Sequence, residues 1–208
     1  MDQMSAKAAL QETADAAVAA ADALKSAPFF QVPFYYLRHG ESTYNLAGRI
    51  AGSVDPELTE LGRSQAEDAA DVLQSHGIRT IHASAAQRAS ATAEPLARRL
   101  GLPVHRHASL WERNWGVMEG EPLALLTDRS ITADGGESLV DFNLRIMRAL
   151  AGLPGDRPIL VVGHSGTLRV LRIVLGTGDI PPSIGNALPI RVEPPAAPGG
   201  AWSLIELS

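Results

Sequence analysis

The sequence predicts an α/β fold, with a mostly parallel sheet covered by helices on both faces. From residue 34 onward, short apolar segments typical of strands alternate with longer amphipathic segments typical of helices. One strand, "PILVVGH" at 158–164, is an apolar run of the kind that is buried on both faces. The length of 208 residues fits one domain better than two.

Each element of this pattern has local signals. The predicted strands are 34–38, 80–84, 103–108 and 158–164, and the predicted helices are 59–76, 86–100, 137–152 and 166–175. Thr59 suits the cap of the first helix, and the turn "DGG" at 134–136 precedes the third. The tail at 186–207 predicts two strands around a loop of proline and glycine, which add antiparallel pairing at or near a sheet edge.

The amino-terminal segment lies outside the alternating pattern. Residues 3–26 predict an amphipathic helix rich in alanine, which Pro28 and Pro33 prevent from continuing. The expected organisation is therefore a helical extension at 1–33 and one domain at 34–208. Two interpretations of the extension stay open. It packs on the domain or frays as a tail, or its alanine-rich face joins two subunits into a homodimer or closes over a pocket.

Composition excludes several classes of function. The chain has no cysteine, so it has no disulfides, thiolate zinc sites or cysteine nucleophiles. No basic start precedes an apolar block, and no apolar stretch approaches the roughly 20 residues of a membrane helix, so we expect a cytoplasmic protein without a membrane partner. A formal charge of −5 argues against general binding of nucleic acid.

Two histidines follow predicted strands. His39 comes directly after the first strand, and His164 ends the apolar strand at 158–164. In open α/β sheets, ligands bind beyond the carboxyl ends of the strands, and a glycine beside each histidine lets the backbone approach a ligand closely. A single histidine could be purely structural, but two at the same sheet edge predict a site.

Two arginines lie at the carboxyl ends of predicted strands, the strands 34–38 and 80–84. Arg38 adjoins His39, and Arg88 lies in the first turn of the predicted helix 86–100. Guanidinium groups match phosphate oxygens, and a helix amino terminus adds backbone donors and a favourable dipole. These positions predict contacts to phosphate.

A carboxylic acid follows the third strand. Glu112 lies in "LWERNWGVMEG", between Trp111 and Trp115, and an acid in partly apolar surroundings suits proton donation near neutral pH. The structural alternative is an ion pair with Arg113.

These residues together predict phosphoryl transfer without a metal or a cofactor. A neutral His39 would attack phosphorus, and Arg38, Arg88 and His164 would hold the phosphate oxygens through the transition state. Glu112 would protonate the departing alkoxide. The spacing of His105 and His107 could serve a metal, but no third ligand lies at a suggestive distance, so we expect no metal site.

Five sequence blocks, in order, resemble the histidine phosphatase superfamily, which includes the cofactor-dependent phosphoglycerate mutases. The blocks are "LRHGES" with Asn45, "SAAQRASATAEPLA", "LWERNWGVMEG", "GGES" and "VVGHSGTLRVL", and the resemblance covers roughly 34–208. It implies a three-layer α/β/α sandwich. It further implies His39 as phosphate acceptor, Glu112 as proton donor, and Arg38, Arg88 and His164 in a phosphate pocket with Asn45 at the rim.

The resemblance implies a phosphomonoester hydrolase that acts on a small phosphorylated metabolite. Mutases carry a long insert with basic residues between the third and fourth blocks, whereas the segment 121–134 is short and Arg129 is its sole basic residue. A mutase must retain a phosphorylated intermediate, so the short segment favours hydrolysis. The alternatives are a phosphoglycerate mutase, a catalytically silent binder of phosphorylated ligands, and a phosphohistidine protein phosphatase.

Overall fold

One six-stranded sheet organises the part of the chain that the computed structural model describes, which comprises residues 20, 23–177, 185–197 and 200–208. Its strands are β1 (Phe34–Arg38), β2 (Thr80–Ser84), β3 (Val104–His107), β4 (Ile159–Gly163), β5 (Pro189–Glu193) and β6 (Ser203–Glu206). The strand order is β3-β2-β4-β1-β5-β6. Strands β1 to β4 run parallel, and β5 and β6 add antiparallel pairs. The predicted sheet and its antiparallel tail are confirmed.

The helices connect these strands. They are α1 (Thr43–Leu46), α2 (Glu60–Leu73), α3 (Gln87–Leu100), α4 (Leu139–Ala151) and α5 (Ser165–Leu175), and short 3-10 turns occupy Pro28–Gln31, Ala108–Leu110, Gly116–Met118 and Leu123–Leu125. Thr59 caps α2 as predicted, because its hydroxyl accepts a hydrogen bond from the Gly62 amide. Helix α1 was not predicted, since it is a single turn stabilised by a capping box between Ser42 and Asn45.

Two apolar clusters lie on opposite faces of the sheet, each between the sheet and a layer of helices. Along β1, Phe34 and Tyr36 point into one cluster together with residues of α4 and α5. Tyr35 and Leu37 point to the opposite face, where the cluster contains residues of α2 and α3. Because side chains alternate along a strand, each central strand is buried on both faces, as its apolar sequence requires. The three-layer α/β/α sandwich is thus confirmed.

The described end of the predicted extension belongs to the core. Phe29 and Phe30 are buried, Phe29 lies 4.5 Å from Phe34 between ring centroids, and Phe30 lies 6.2 Å from Trp202. Burying a phenylalanine side chain contributes about 1.5–3 kcal/mol. The packed core therefore begins before β1. Most of the predicted helix 3–26 lies outside the described residues.

In the described ranges, no helix combines the length and the apolar character needed to cross a membrane.

Candidate active site

Adjacent strands place the two predicted histidines side by side. Strands β1 and β4 are neighbours, with Arg38 opposite Gly163, so the residues that follow them meet at the same sheet edge. The His39 amide donates to the Gly163 carbonyl at 2.9 Å, and the rings of His39 and His164 lie 5.3 Å apart between centroids. His39 and His164 therefore lie side by side at one sheet edge, where the sequence predicted them.

The hydrogen bonding of His39 distinguishes its two ring nitrogens. Nδ1 lies 2.7 Å from the Gly40 carbonyl, and a carbonyl only accepts hydrogen bonds, so Nδ1 carries the proton and Nε2 carries the lone pair. Burial, and then the charges of Arg88 and Arg38, lower the pKa of His39 well below its usual value. The imidazole is therefore neutral, as a nucleophile must be.

Glycine is required beside this histidine. A Cβ at Gly40 would collide with the Gly62 carbonyl at the start of α2, so only glycine allows the loop after β1 to pack this closely. The Gly40 amide donates to the Thr92 hydroxyl at 2.9 Å, and that hydroxyl donates to the Arg88 carbonyl at 2.8 Å. These two hydrogen bonds therefore connect the loop after His39 to α3, the helix that carries Arg88.

The Arg88 guanidinium is buried and positioned by a neighbouring loop. Its NH1 group donates to the Val54 carbonyl at 2.9 Å and to Asp55 Oδ1 at 3.2 Å, and its NH2 group donates to the Gly52 carbonyl at 3.2 Å. Its Nε has no hydrogen-bond partner within the described ranges. Burial lowers the pKa of Arg88, and the carboxylates of Glu112 and Asp55 oppose that shift.

The Glu112 carboxylate is hydrogen-bonded to the amino terminus of α5. Its Oε2 accepts from the Gly166 amide at 2.9 Å and lies 3.4 Å from the Ser165 hydroxyl, while Oε1 accepts from the Arg113 amide at 2.8 Å. A Cβ at position 166 would collide with this carboxylate, so the approach depends on glycine. The alternative ion pair between Glu112 and the Arg113 guanidinium is absent among the described residues, because that guanidinium donates to backbone carbonyls.

His164 lies behind His39 rather than on the cavity wall. It is fully buried, its Nε2 lies 2.9 Å from the Ser84 hydroxyl, and its carbonyl accepts from the Tyr36 hydroxyl at 2.6 Å. Burial, followed by the charges of Arg88 and other neighbours, lowers its pKa well below the usual value. Nδ1 has no partner in the described part of the chain. Its contact with a phosphate stays a prediction.

Two asparagines meet at the rim. Asn45 Oδ1 accepts from the amide and hydroxyl of Ser42, both at 3.1 Å, and from Asn186 Nδ2 at 3.1 Å. Asn186 Nδ2 also donates to the His39 carbonyl at 2.9 Å. Sequence reasoning missed Asn186, which reaches the site because the Ala187 amide, just before β5, donates to the Arg38 carbonyl. No local motif signals that long-range contact.

These residues surround one cavity of about 470 Å³. Its wall includes five of the six predicted site residues: Arg38, His39, Asn45, Arg88 and Glu112. It also includes four further arginines, Arg49, Arg113, Arg129 and Arg169, whereas Glu112 and Asp128 are its acidic members among the described residues. The cavity is cationic in a chain whose formal charge is −5. An anionic ligand is therefore favoured there.

The remaining histidine cluster lies outside the cavity wall. His82 Nε2 lies 2.8 Å from the Pro154 carbonyl, so it carries the proton, and His82 Nδ1 accepts from His107 Nε2 at 2.8 Å. His105 is exposed. Within the described ranges, no group of three or more histidine, cysteine or acidic residues is arranged to hold a metal ion.

Known proteins are similar to this chain in sequence and in fold. Glucosyl-3-phosphoglycerate phosphatase of Mycobacterium tuberculosis is 35% identical over 162 residues, covering 67% of this chain and 73% of that protein. A probable phosphoglycerate mutase of Yersinia pestis is 35% identical over 153 residues, covering 66% and 71%. The solved structure of mycobacterial glucosyl-3-phosphoglycerate phosphatase in complex with VO3 superposes with a TM-score of 0.69, at 30% identity, over 83% of this chain and 97% of that one.

The family model described as histidine phosphatase superfamily (branch 1) matches residues 34–190, a range that begins with β1 and ends in β5. It therefore includes every predicted site residue from Arg38 to His164. On the strength of that match, the chain belongs to the histidine phosphatase superfamily, branch 1.

Proposed function

We propose that this protein is a metal-independent phosphomonoester hydrolase that forms a phosphohistidine intermediate on a small phosphorylated metabolite. The observation that carries the proposal is the neutral His39 on the cavity wall, with its lone pair on Nε2. The cations Arg38 and Arg88 lie on the same wall, and so does the carboxylic acid Glu112. A nucleophile, phosphate-binding charges and a proton carrier therefore meet in one cavity.

The first step transfers the phosphoryl group to the protein. The lone pair on His39 Nε2 attacks phosphorus, and the bond from phosphorus to the alcohol oxygen breaks, so that its electron pair leaves with that oxygen. A protonated Glu112 donates its proton to the leaving oxygen, which departs as an alcohol. Arg38 and Arg88 neutralise the charge on the phosphoryl oxygens.

The second step releases phosphate. Water attacks the phosphorus of phosphohistidine while the Glu112 carboxylate takes a proton from it. The bond between nitrogen and phosphorus breaks, and its electron pair returns to Nε2. His39 is then neutral and Glu112 is protonated, ready for the next substrate.

Arg38 and Arg88 supply the positive charge that a metal would supply in other phosphatases, which supports the metal-independent scheme. We further propose a cytoplasmic protein without nucleic-acid or membrane partners. It is organised as the domain 34–208 and the extension 1–33, whose Phe29 and Phe30 pack into the core of that domain. Its formal charge of −5 supports the absence of nucleic-acid binding.

A phosphoglycerate mutase is the second candidate, because a relative with that name is 35% identical. The segment 121–134 favours the hydrolase. Leu123 and Leu125, on this segment, are exposed, and Leu123 lines the cavity. A short, exposed segment at the cavity gives water access to the intermediate that a mutase must protect.

Phosphate release from a panel of phosphomonoesters, with a chelator present, tests the proposal. The native chain should release phosphate, His39→Ala should reduce the rate by at least about 10³-fold, and His76→Ala, outside the cavity wall, should match the native chain. Activity that survives in His39→Ala contradicts the nucleophile, and a strict need for metal contradicts the charge scheme. Conversion of 3-phosphoglycerate to 2-phosphoglycerate, with a trace of bisphosphoglycerate present, would instead identify a mutase.

A further inference from the structure

A serine at the end of β2 contacts the second histidine of the site. Strands β2 and β4 are neighbours, with Ala83 opposite Val162, so the residues at their ends meet. Ser84, the last residue of β2, is fully buried, and its hydroxyl lies 2.9 Å from His164 Nε2. Ser84 lies outside the cavity wall, so any effect of its side chain on a bound ligand must pass through a neighbour.

His164 carries one ring proton at neutral pH. Burial, followed by the charge of Arg88, lowers its pKa well below the usual value, so the imidazole is neutral. A neutral imidazole has one nitrogen that donates a hydrogen bond and one that accepts. The hydrogen bonds around the ring therefore decide which nitrogen carries the proton.

The hydrogen bonds of Ser84 favour one tautomer of His164. The Ser84 oxygen accepts from the Ala86 amide at 3.2 Å, and among the described residues His164 Nε2 is the one acceptor that its hydroxyl proton reaches. With the ring proton on Nδ1, the hydroxyl donates to Nε2, and only Nδ1 lacks a partner. With the ring proton on Nε2, the hydroxyl proton and the Nδ1 lone pair would both be buried without partners. Because each unpaired buried group costs free energy, the first tautomer is favoured.

This tautomer leaves a buried donor without an acceptor. In the described part of the chain, nothing accepts a hydrogen bond from His164 Nδ1, and such orphaned donors are rare in proteins. The His39 ring is a neighbour, at 5.3 Å between centroids and 64° between ring planes. In the proposed mechanism, a phosphoryl group on His39 brings charged oxygens beside this donor. An N–H group stabilises that charge, whereas a nitrogen lone pair would repel it.

We propose that Ser84 is a positioning residue, which holds His164 in the tautomer with its proton on Nδ1 so that His164 donates a hydrogen bond to a phosphoryl oxygen. This inference rests on the proposed function and adds a residue that acts through His164. The Ala86 amide assists, because an N–H that donates to the Ser84 oxygen polarises the hydroxyl and strengthens its bond to Nε2.

Heteronuclear NMR of the histidine ring nitrogens tests the tautomer in the resting protein. The signals of His164 are those that disappear in His164→Gln. The native chain should show His164 protonated at Nδ1. His82, whose Nε2 lies 2.8 Å from the Pro154 carbonyl, supplies the opposite tautomer as a reference in the same spectrum. A His164 ring protonated at Nε2 would overturn the proposal without the need for any variant of Ser84.

Variants then assign the tautomer to the Ser84 hydroxyl. Ser84→Ala should introduce the Nε2–H tautomer of His164 and reduce kcat by about ten-fold or more with a smaller change in KM, because the donor serves charge that develops in the transition state. Ser84→Thr keeps a hydroxyl and should keep the native tautomer. If Ser84→Ala retains both the native tautomer and the native kcat, Ser84 does not position His164.

Ser90 offers a matched control for the loss of a buried hydroxyl. It is buried, and its hydroxyl donates to the Ser84 carbonyl at 3.1 Å, so Ser90→Ala removes a hydrogen bond from the same strand end without changing a contact of His164. This variant should keep the native tautomer and a kcat within about two-fold. Equal losses of kcat in Ser84→Ala and Ser90→Ala would point to general damage at the strand end and overturn the proposal.

Inorganic phosphate as a probe separates this inference from the proposed function. Phosphate should shift the His164 Nδ1 signal of the native chain, and this measurement needs no turnover. A shift of the His39 signals without a shift at His164 Nδ1 would overturn the proposal. A chain that shows the Nδ1–H tautomer and the phosphate shift but hydrolyses nothing would retain the role of Ser84 and overturn the hydrolase. A chain that hydrolyses phosphomonoesters with His164 protonated at Nε2 would do the reverse.

Discussion

At the scale of single residues, the contribution of Glu112 to the rate of hydrolysis should be larger for leaving groups that need protonation. Glu112→Gln keeps the shape of the side chain but removes the transferable proton. Hydrolysis of a sugar phosphate, whose alkoxide needs protonation, should fall by about 10²–10⁴-fold, while p-nitrophenyl phosphate, whose phenolate leaves readily, should lose far less. Steady-state kcat values on both substrates check this. Equal losses on the two substrates would contradict a role for Glu112 as general acid.

The predictable part of the site consists of residues that strand ends position. Arg38 is the last residue of β1, and His39 and His164 follow the adjacent parallel strands β1 and β4, so strand prediction alone places them together. Arg169 and Asn186 were not predicted. Arg169 lies one turn inside α5, where an arginine is usually solvated, and Asn186 depends on a contact between β5 and β1 that no local pattern encodes.

At the scale of elements, the start of α5 positions the acid. Gly166→Ala would drive a methyl group into the Glu112 carboxylate and displace it from the Gly166 amide. The variant should fold and should show the same selectivity as Glu112→Gln, with a loss of about ten-fold or more on sugar phosphates and a smaller loss on p-nitrophenyl phosphate. Gly152→Ala, at the end of α4 where a Cβ meets only ordinary contacts, is the matched control. Unchanged kinetics in Gly166→Ala would show that the acid does not depend on this contact.

Elements with a complete set of local signals were predicted well. The four long helices begin and end within three residues of their predicted bounds, because amphipathic periodicity and caps such as Thr59 act locally. Helix α1 was not predicted because its four residues are too few to show an amphipathic periodicity. Its capping box, between Ser42 and Asn45, is visible in the sequence only once Asn45 is known to complete it.

At the scale of the whole molecule, the apolar core includes residues that precede the first strand of the alternating pattern. Phe30 is fully buried among residues of α4, α5 and the sheet, although it precedes β1. Phe30→Ala should lower the free energy of unfolding by about 3–5 kcal/mol, because it leaves a cavity in the core. Urea denaturation measures this. A loss below about 1 kcal/mol would mean that the turn Pro28–Gln31 detaches from the domain in solution.

The histidine pair between β2 and β3 should make the stability of the whole domain depend on pH. Burial lowers the pKa of His82 from 6.5 to about 4, so the unfolded chain binds a proton near pH 6.5 that the folded chain takes up only near pH 4. Stability is therefore fully present above pH 6.5 and declines as the pH falls toward 4, by about 2 kcal/mol at pH 5. Protonation of His82 Nδ1 would also break its hydrogen bond from His107.

Urea denaturation at pH 7.5 and pH 5 tests this dependence by comparing the native chain with His82→Asn. The native chain should lose about 2 kcal/mol more between the two pH values than the variant, because the variant has no proton to bind at this position. Titratable groups that do not contact His82 contribute equally to both chains and cancel in the difference. His76→Asn, a change of the same type outside the pair, should retain the native dependence. If His82→Asn and the native chain lose equal stability, the buried pair is not the origin of the acid sensitivity.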